Sequence, residues 1–441
     1  ILHQNLQNVL LKSNAQVPDS IRNREKELKQ LLAFYTSRMN NNGAEADVRQ
    51  LQKRLAELQV ELSRLQKQYE KDVSYNLFRS QSVLDKTDLK AIQSAIDEET
   101  ALLNYYKTDS VIYLLAISQQ KAMLTRISAD SSFNHQLQIY LDEVYRHTEG
   151  SRYDGYEASE KLFGALLAPV SSVINTCDKW IIIPDGILYY LPAEGLLIEK
   201  NRKEYVIEKR TVSYHYSFSL LFQQKTHHFS EAGSSGTAAF APFAGMEAGV
   251  NMDSLALLPF SKDEVKQFEG NTYLGKAATK QQFIQSAPKF PFIHLATHAS
   301  AGKDSSGNWI QFYSADSNEL NDKLYLNEIY NLDLHRAELV ILSACETGSG
   351  HVTSGEGLLS LSRAFLYAGS DGIISILWKT EDQVTAYLMQ RLHFHLDKEH
   401  TPEKALQLAK TDLLKERSIS ARYKTPNYWS NFIYVGKVTL Q

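Results

Sequence analysis

The chain has 441 residues, of which 43% are apolar and 22% are charged, and this ordinary globular composition predicts two or three domains with a sizeable core. A formal charge of −4 excludes the broad basic field with which proteins bind nucleic acid or anionic membranes. The two cysteines, Cys177 and Cys345, are too few for a disulfide framework or a four-thiolate zinc site and fit a reducing compartment, so we expect a cytoplasmic protein.

The start of the chain gives no sign of export. Its first residues lack the basic and then apolar pattern of a secretory signal, and no apolar run in the sequence is long enough to span a membrane. Because the chain begins at Ile1 and not at a methionine, we expect it to be a fragment of a longer protein.

Residues 1–97 are predicted to form an α-helical hairpin with coiled-coil packing. Apolar residues recur at helical spacing between Ile21 and Tyr35. After a polar turn, a heptad seam follows at Val48, Leu51, Leu55, Leu58, Leu62, Leu65 and Tyr69. A scaffold is the simplest role for this hairpin, and the alternatives are a docking surface for a partner and the end of a helical repeat array.

Residues 98–175 are predicted to form a small subdomain of strands and helices. Strand-like runs that predict an antiparallel meander lie at residues 101–106, 111–117 and 122–127. Two amphipathic helices are predicted near residues 131–147 and 157–175. Cys177 follows the second helix, and we assign it a structural role.

Strands and helices alternate from residue 176 to residue 441. A buried strand that begins near Trp180 ends in a turn at Pro184-Asp185-Gly186, because Pro and Gly interrupt the apolar run. Further strands are predicted near residues 211–214, 238–241 and 272–274, and helices near 217–223, 261–268 and 279–285. The alternation predicts an α/β fold with a mostly parallel sheet and helices on both of its faces.

Two strand-like runs in this region end on side chains that could react together. The run from Phe292 ends on His298, and the run from Leu339 reaches Cys345 just before Gly348. The carboxyl ends of neighbouring parallel strands converge on one crevice, and an imidazole beside a thiol takes its proton or holds the thiolate. The pattern therefore predicts a nucleophile and its base, and the alternative is a hydrogen-bonded polar pair at the edge of the sheet.

Other polar residues near these runs have weaker patterns. His294 lies four residues before His298, but a zinc protease needs a helix with a Glu between its two His residues, so we predict no metal and assign His294 a supporting role. The turn around Glu356 lies between two glycines, yet it lacks the Gly-Lys-Ser/Thr sequence of a phosphate loop. We interpret it as a loop that shapes the pocket of Cys345.

Several motifs accompany the two strands at defined positions. They are His294-Leu295-Ala296-Thr297-His298, Leu342-Ser343-Ala344-Cys345-Glu346-Thr347-Gly348, Gly355-Glu356-Gly357-Leu358, Phe365-Leu366-Tyr367-Ala368-Gly369, Ile376-Leu377-Trp378, Ile183-Pro184-Asp185-Gly186, Tyr190-Leu191-Pro192 and Asn427-Tyr428-Trp429 with Phe432 and Gly436. Together they resemble the CHAT domain, a caspase-like peptidase domain that is often attached to tetratricopeptide repeats. The resemblance covers residues 15–441 and is strongest over 180–436.

The resemblance implies a caspase- and separase-type cysteine endopeptidase that needs no cofactor. By motif, Cys345 is the nucleophile and His298 is the general base and acid. The backbone N–H groups of Cys345 and Ala299 would form the oxyanion hole. Relatives often have Gly at the position of Ala299, and alanine would be strained there if the position requires a positive φ. Glu346, together with His294 and Glu356, is assigned to the groups that support the dyad.

A substrate pocket is also implied by the resemblance. The segment Trp378-Lys379-Thr380-Glu381-Asp382 resembles a separase pattern in which an Asp at the bottom of the pocket pairs with a substrate Arg or Lys. Asp382 is the candidate carboxylate and Trp378 lines the same pocket. The alternative for Asp382 is an acidic turn that caps the following helix. Asp185 is a further candidate, and a role in its own backbone turn is the simpler explanation for it.

Three functions are compatible with the sequence. The first is an endopeptidase that cleaves one or a few partner proteins and is gated by upstream repeats or by a protein activator. The second is a non-catalytic protein-binding module built on a peptidase fold. The third is another acyl transfer on the same dyad, such as amide ligation. The retention of both His298 and Cys345 favours the first.

Overall fold

An eleven-stranded β-sheet forms the centre of the part of the chain that the structure describes. This computed structural model describes scattered positions between residues 24 and 65, and then residues 89–145, 152–218, 221, 236–244, 258, 261–265, 270–300, 308–313, 322–343, 352–353, 357–358, 361–378 and 381–437. Cys345, Glu346 and Glu356 lie outside these residues, and so does the side chain of Asp382.

The elements are numbered along the chain. The strands are β1 (Thr100–Lys107), β2 (Val111–Ser118), β3 (Ala122–Ser128), β4 (Lys179–Ile183), β5 (Leu197–Glu199), β6 (Glu204–Tyr205), β7 (Thr211–Tyr214), β8 (Thr237–Ala241), β9 (Gly270–Leu274), β10 (Phe292–Ala296), β11 (Ala299–Ser300), β12 (Trp309–Gln311), β13 (Lys323–Tyr325), β14 (Leu339–Ser343), β15 (Val352–Thr353), β16 (Gly357–Leu358), β17 (Gly372–Ile376) and β18 (Phe432–Gly436). The helices are α1 (Leu89–Ala95), α2 (Ser131–Tyr145), α3 (Tyr156–Leu166), α4 (Ser171–Ile174), α5 (Val206–Lys209), α6 (Ser261–Val265), α7 (Lys280–Ser286), α8 (Leu326–Ile329), α9 (Leu361–Tyr367), α10 (Asp382–Leu396), α11 (Pro402–Lys415) and α12 (Pro426–Trp429).

Nine of the eleven strands of the large sheet form two groups of parallel strands that run in opposite directions. Its strand order is β3-β2-β1-β4-β7-β18-β17-β14-β10-β8-β9. Neighbours from β1 through β4 and β7 to β18 are parallel, and so are neighbours from β17 through β14, β10 and β8 to β9. The two groups meet where β18 pairs antiparallel with β17. The carboxyl ends of β4 and β10 therefore point in opposite directions along the strand axis.

The predicted antiparallel meander is confirmed as β1, β2 and β3. However, β1 also pairs in parallel with β4, with Ala101 opposite Trp180. The meander thus continues the main sheet, and the predicted boundary near residue 176 falls between two hydrogen-bonded strands. A continuous sheet buries the edge that β4 would otherwise expose.

Helices cover both faces of the sheet, which explains why its central strands are almost continuously apolar. Successive side chains of a strand point to opposite faces. Along β14, Val340 and Leu342 join one core with residues of α2, α3, α7 and α9, and Leu339 and Ile341 join a second core with α10, α11 and α12. The predicted fold class, a mostly parallel sheet with helices on both faces, is confirmed.

A buried ion pair joins α11 to the sheet. Lys410 Nζ lies 2.9 Å from Glu194 Oε1, and both side chains are at most 2% exposed. The same ammonium donates to the carbonyl oxygen of Phe432 in β18 at 2.5 Å. The hydroxyl of Tyr214 in β7 donates to the second carboxylate oxygen of Glu194. One network of charged and polar groups therefore connects β7, β18 and α11 in the interior.

The described positions of the N-terminal segment are helical from Arg24 to Tyr35 and from Leu51 to Leu65. Arg24 Nε donates to Glu61 Oε1 at 3.0 Å, and Arg54 forms a side-chain hydrogen bond with Tyr35. These two contacts run in opposite order along the two segments, which is the order expected of the predicted antiparallel hairpin. Among the described residues, every helix is too short or too polar to cross a membrane.

Candidate active site

The two strands that carry the predicted dyad are parallel neighbours. Ala296, the last residue of β10, lies opposite Ser343, the last residue of β14, and Thr297 N donates to Ser343 O at 3.3 Å. His298 is two residues beyond Ala296, and Cys345 is two residues beyond Ser343 in the sequence. The predicted convergence of the strand ends is confirmed, while Cys345 itself lies outside the described residues and the dyad stays a prediction.

The main chain around His298 is held by a small sheet. β11, β12 and β13 form three antiparallel strands directly after His298. Gln311 N donates to His298 O at 2.8 Å, and the hydroxyl of buried Thr297 donates to Gln311 O at 2.6 Å. Ala299 pairs with Ile310, and it is not among the described residues with a positive φ. Alanine is therefore accommodated without strain at the position predicted for the oxyanion hole.

His294 points into a buried polar cluster that no local sequence pattern indicates. Its side chain is fully buried, and its Nε2 lies 2.9 Å from Glu264 Oε1 on α6. The ring of His393 on α10 lies 5.8 Å from the His294 ring, measured between centroids. Four residues along an extended strand span about 13 Å, so the His294 ring does not reach His298. Any support of the dyad by His294 acts through β10.

The titration of His393 leads to a testable pH dependence. Burial lowers the pKa of His393 well below its ordinary value, and the neighbouring His294 lowers it further. The folded protein therefore holds His393 neutral where the unfolded chain, with a pKa of about 6.5, already binds a proton. The unfolding free energy is expected to fall as the pH drops from 7.5 through 6.5 to 5.5, by up to about 1.4 kcal/mol per pH unit from this group.

Urea unfolding of the wild type and of His393→Gln at pH 7.5, 6.5 and 5.5 measures this contribution. The variant is expected to lose less unfolding free energy than the wild type over this range. His135→Gln on α2 is the matched control because His135 is exposed. Equal pH slopes for the wild type and His393→Gln would contradict the prediction.

Trp378 and His298 both follow the carboxyl ends of strands that run in the same direction, because β17, β14 and β10 are parallel neighbours. Trp378 is 5% exposed. Its indole Nε1 donates to Asn427 O at 2.8 Å, and Asn431 Nδ2 donates to Trp378 O at 2.8 Å. Its ring also packs 4.5 Å from the ring of Tyr145. These contacts fix the position of the Trp378 ring beside the strand ends, and Asn427 and Asn431 supply two of them.

Asp382 is the first residue of α10, and Glu381 occupies the N-cap without a side-chain cap hydrogen bond. Asp382 is therefore not the residue that caps this helix. A carboxylate in the first helical turn is still favoured by the helix dipole, so a structural reason for Asp382 remains beside the proposed pocket role.

Asp185 has a local backbone role. Its Oδ2 accepts a hydrogen bond from Lys107 N at 2.8 Å, which joins the turn after β4 to the end of β1. Since β4 and β10 run in opposite directions, the structure does not bring Asp185 to the strand end that carries His298. The following turn, Gly186–Tyr190, contacts β15 and β16, which flank Glu356 in the sequence.

Cys177 has the surroundings of a structural cysteine. Its side chain is completely buried, and its thiol donates to Val173 O at 3.7 Å. Burial raises the pKa of Cys177, so its thiol is less easily ionised than an exposed one. The predicted structural role of Cys177 agrees with this geometry.

The chain is similar in sequence to a known domain family and to two curated proteins. The family model of the CHAT domain matches residues 156–437. Tetratricopeptide repeat protein 28 of Mus musculus is 23% identical over 324 residues, covering 62% of this chain and 13% of that protein. The protein of the same name from Homo sapiens is 21% identical over 384 residues, covering 73% of this chain and 15% of that protein. The chain thus spans about one seventh of the length of these curated relatives.

Two solved structures of the Saccharomyces cerevisiae separase–securin complex were also found. They are 8% identical in sequence, with TM-scores of 0.45 and 0.46. The matches cover 77% and 79% of this chain and 30% and 31% of the matched chains.

Proposed function

The chain belongs to the CHAT domain family, and from that premise we propose that it is a cysteine endopeptidase that cleaves partner proteins through Cys345 and His298. The observation that carries the proposal is the pairing of Ala296 with Ser343 in adjacent parallel strands. Each strand leads in two residues to one member of the dyad. The Cys345 thiol and the His298 imidazole are 47 residues apart in sequence, so they can form a hydrogen bond only if the ends of these two strands lie side by side.

The reaction follows from the chemistry of the two groups. The Cys345 thiolate attacks the scissile carbonyl carbon, and the new C–S bond forms as the carbonyl π electrons move to oxygen. Backbone N–H groups of Ala299 and Cys345 stabilise this oxyanion. His298 gives its proton to the leaving amine as the C–N bond breaks. The neutral His298 then takes a proton from water, and the water oxygen bonds to the thioester carbon. The C–S bond breaks, which releases the acid product and leaves the Cys345 thiolate beside the protonated His298.

The substrate preference in this proposal is a basic residue before the cut. Trp378 forms a fixed wall at the edge of the sheet that carries His298, and Asp382 begins the helix that follows it. A carboxylate at the bottom of a pocket forms a charge-assisted hydrogen bond with Arg or Lys. The proposal includes gating of the site by a partner or by upstream repeats, and the relatives named above are tetratricopeptide repeat proteins.

Covalent labelling tests the proposed dyad directly. The wild type and Cys345→Ala are treated with a peptidyl-Arg acyloxymethyl ketone, with and without candidate partner proteins, and intact masses are measured. One adduct on the wild type and none on Cys345→Ala is the expected result. If iodoacetamide alkylates Cys345 but the ketone gives no adduct under any condition, the crevice acts as a binding module or prefers a different residue.

Asp382→Ala tests the substrate preference. Loss of one charge-assisted hydrogen bond is expected to lower the preference for Arg over Leu in the peptidyl ketone by about 10- to 100-fold. The alkylation of Cys345 by iodoacetamide is expected to stay unchanged. Glu381→Ala is the matched control, because this neighbouring carboxylate lies 3.9 Å from Arg422 and caps no backbone group with its side chain. An unchanged preference for Arg in Asp382→Ala would show that Asp382 does not bind the basic residue of the substrate.

A further inference from the structure

The peptide group that joins His298 to Ala299 is held from one side by β12. Gln311 N donates to His298 O at 2.8 Å. A peptide group is planar and trans, so the N–H of Ala299 points in the direction opposite to the carbonyl of His298 and therefore away from β12. The strand pairing agrees, because hydrogen-bonded and non-hydrogen-bonded pairs alternate and Ala299 with Ile310 is the pair next to the bonded one.

The N–H of Ala299 points to the outer edge of the small sheet. The order of this sheet is β11-β12-β13, so among the described strands β11 has a neighbour on one side only. A backbone N–H at such an edge is a donor that an oxygen atom of another molecule can use. Its direction is compatible with the oxyanion donor that the family resemblance assigns to Ala299.

Thr297 holds Gln311 by a second, buried hydrogen bond. The hydroxyl of Thr297 donates to Gln311 O at 2.6 Å. Thr297 is 1% exposed and Gln311 is 2% exposed, so water does not compete for this bond. The two main-chain polar groups of Gln311 are thus bound to consecutive residues, its carbonyl to Thr297 and its N–H to His298.

Both partners of this hydrogen bond are fixed by a sheet. Thr297 N donates to Ser343 O at the end of β14 at 3.3 Å. On the other side, Gln311 is the last residue of β12, and Phe312 N donates to Asp322 O at 2.6 Å. The Thr297 hydroxyl therefore joins the end of the large sheet to the small sheet.

We propose that Thr297 is the positioning residue of the oxyanion donor. Its hydroxyl holds Gln311, and Gln311 holds the peptide group whose N–H belongs to Ala299. This inference rests on the proposed function and adds the residue that orients one of its two oxyanion donors. Such a donor contributes most when its direction is fixed before the charge develops. Without the hydroxyl, Gln311 O loses a buried donor and the peptide group is held less firmly.

The test compares two substitutions of Thr297 with a matched control. Thr297→Val removes the hydroxyl and keeps the shape of the side chain, and Thr297→Ser keeps the hydroxyl. Thr411→Val is the control, because Thr411 is 7% exposed and its hydroxyl also donates to a main-chain carbonyl, that of Leu408, at 2.9 Å.

Three quantities are measured on each variant. The first is the rate of alkylation of Cys345 by iodoacetamide, a reaction that forms no oxyanion. The second is the concentration of a peptidyl-Arg aldehyde that halves this rate, because the thiol adds to the aldehyde and the oxygen of the hemithioacetal takes the place of the oxyanion. The third is the hydrogen exchange of the Gln311 amide in ¹⁵N-glutamine-labelled protein, assigned by its loss in Gln311→Asn.

Thr297→Val is expected to raise the halving concentration of the aldehyde by about tenfold, which is less than the effect of removing an oxyanion donor altogether. Exchange of the Gln311 amide is expected to become about tenfold faster, because one buried hydrogen bond that holds Gln311 is lost. Alkylation by iodoacetamide is expected to stay unchanged. Thr297→Ser is expected to restore the wild-type values, and Thr411→Val is expected to leave all three unchanged.

A folded Thr297→Val variant with the exchange rate of the wild type, or with the response of the wild type to the aldehyde, would overturn the proposal. So would an equal loss in alkylation by iodoacetamide, because the substitution would then act on the dyad and not on the oxyanion donor.

The two proposals fail in different ways. If His298→Ala leaves the alkylation rate of the wild type unchanged, the peptidase dyad is wrong. The exchange of the Gln311 amide needs neither a substrate nor a reactive thiol, so it still reports whether Thr297 holds this peptide group. Unchanged exchange in Thr297→Val overturns the positioning role, and faster exchange supports it.

Discussion

Replacing His298 by alanine is expected to slow the alkylation of Cys345 by the peptidyl-Arg acyloxymethyl ketone by a factor of about 10²–10⁴. Without the imidazole, the thiol keeps its proton at neutral pH, and the thiolate is the form that displaces the carboxylate of the ketone. The second-order rate of labelling by the peptidyl-Arg ketone, followed by intact mass, measures this loss.

The variant is expected to keep its fold, because the main-chain hydrogen bond at residue 298 does not depend on the side chain. Gln311 N donates to the carbonyl oxygen of residue 298, and alanine provides the same acceptor. His135→Ala, on the exposed surface of α2, is the control for loss of a histidine. A His298→Ala variant that is labelled as fast as the wild type would show that the imidazole takes no part in the reaction.

Replacing Lys410 by methionine is expected to lower the free energy of unfolding by about 3–5 kcal/mol. The substitution keeps much of the volume of the side chain but leaves the carboxylate of Glu194 buried without its cation. It also removes a donor from Phe432 O, to which Lys410 Nζ is bound at 2.5 Å. Urea unfolding at pH 7, followed by circular dichroism, measures the change.

Two further variants separate the buried charge from the loss of lysine as such. Lys161→Met removes the same side chain from an exposed pair on α3, where Lys161 Nζ lies 2.7 Å from Glu157 Oε1, and it is expected to change the unfolding midpoint little. The double variant Lys410→Met with Glu194→Gln is expected to recover part of the loss, because no carboxylate then remains buried at this position. If Lys410→Met is as stable as Lys161→Met, the interior pair does not hold α11 to the sheet.

Much of the candidate site could be predicted because its strands are short apolar runs that end in polar residues. The run into His298 and the run toward Cys345 were correctly placed as strands, and the structure makes them parallel neighbours. The family resemblance, which depends on spaced motifs, is confirmed over residues 156–437. In both cases the signal is local in sequence.

Other contacts of the site have no local signal. Glu264 lies 30 residues before His294, and its segment shows no pattern that would mark a buried carboxylate. The ring of Phe243 lies 4.6 Å from the ring of His298, measured between centroids, yet Phe243 comes 55 residues earlier, and an apolar residue after an apolar strand is unremarkable. These pairs could be found only once β8, β10 and α6 had been placed side by side.

The sequence by itself determined nine of the eleven strands of the large sheet, the α/β class, the family and the two residues proposed for the dyad, because apolar periodicity and spaced motifs act over short stretches of chain. Only the tertiary structure decided that the meander joins the main sheet and that β4 and β10 end at opposite edges, which separates Asp185 from His298. The physical reason is that strand order and direction depend on pairing between segments far apart in the chain. The free energy that stabilises this pairing comes from side chains buried on both faces of the sheet, and these side chains belong to several segments of the chain.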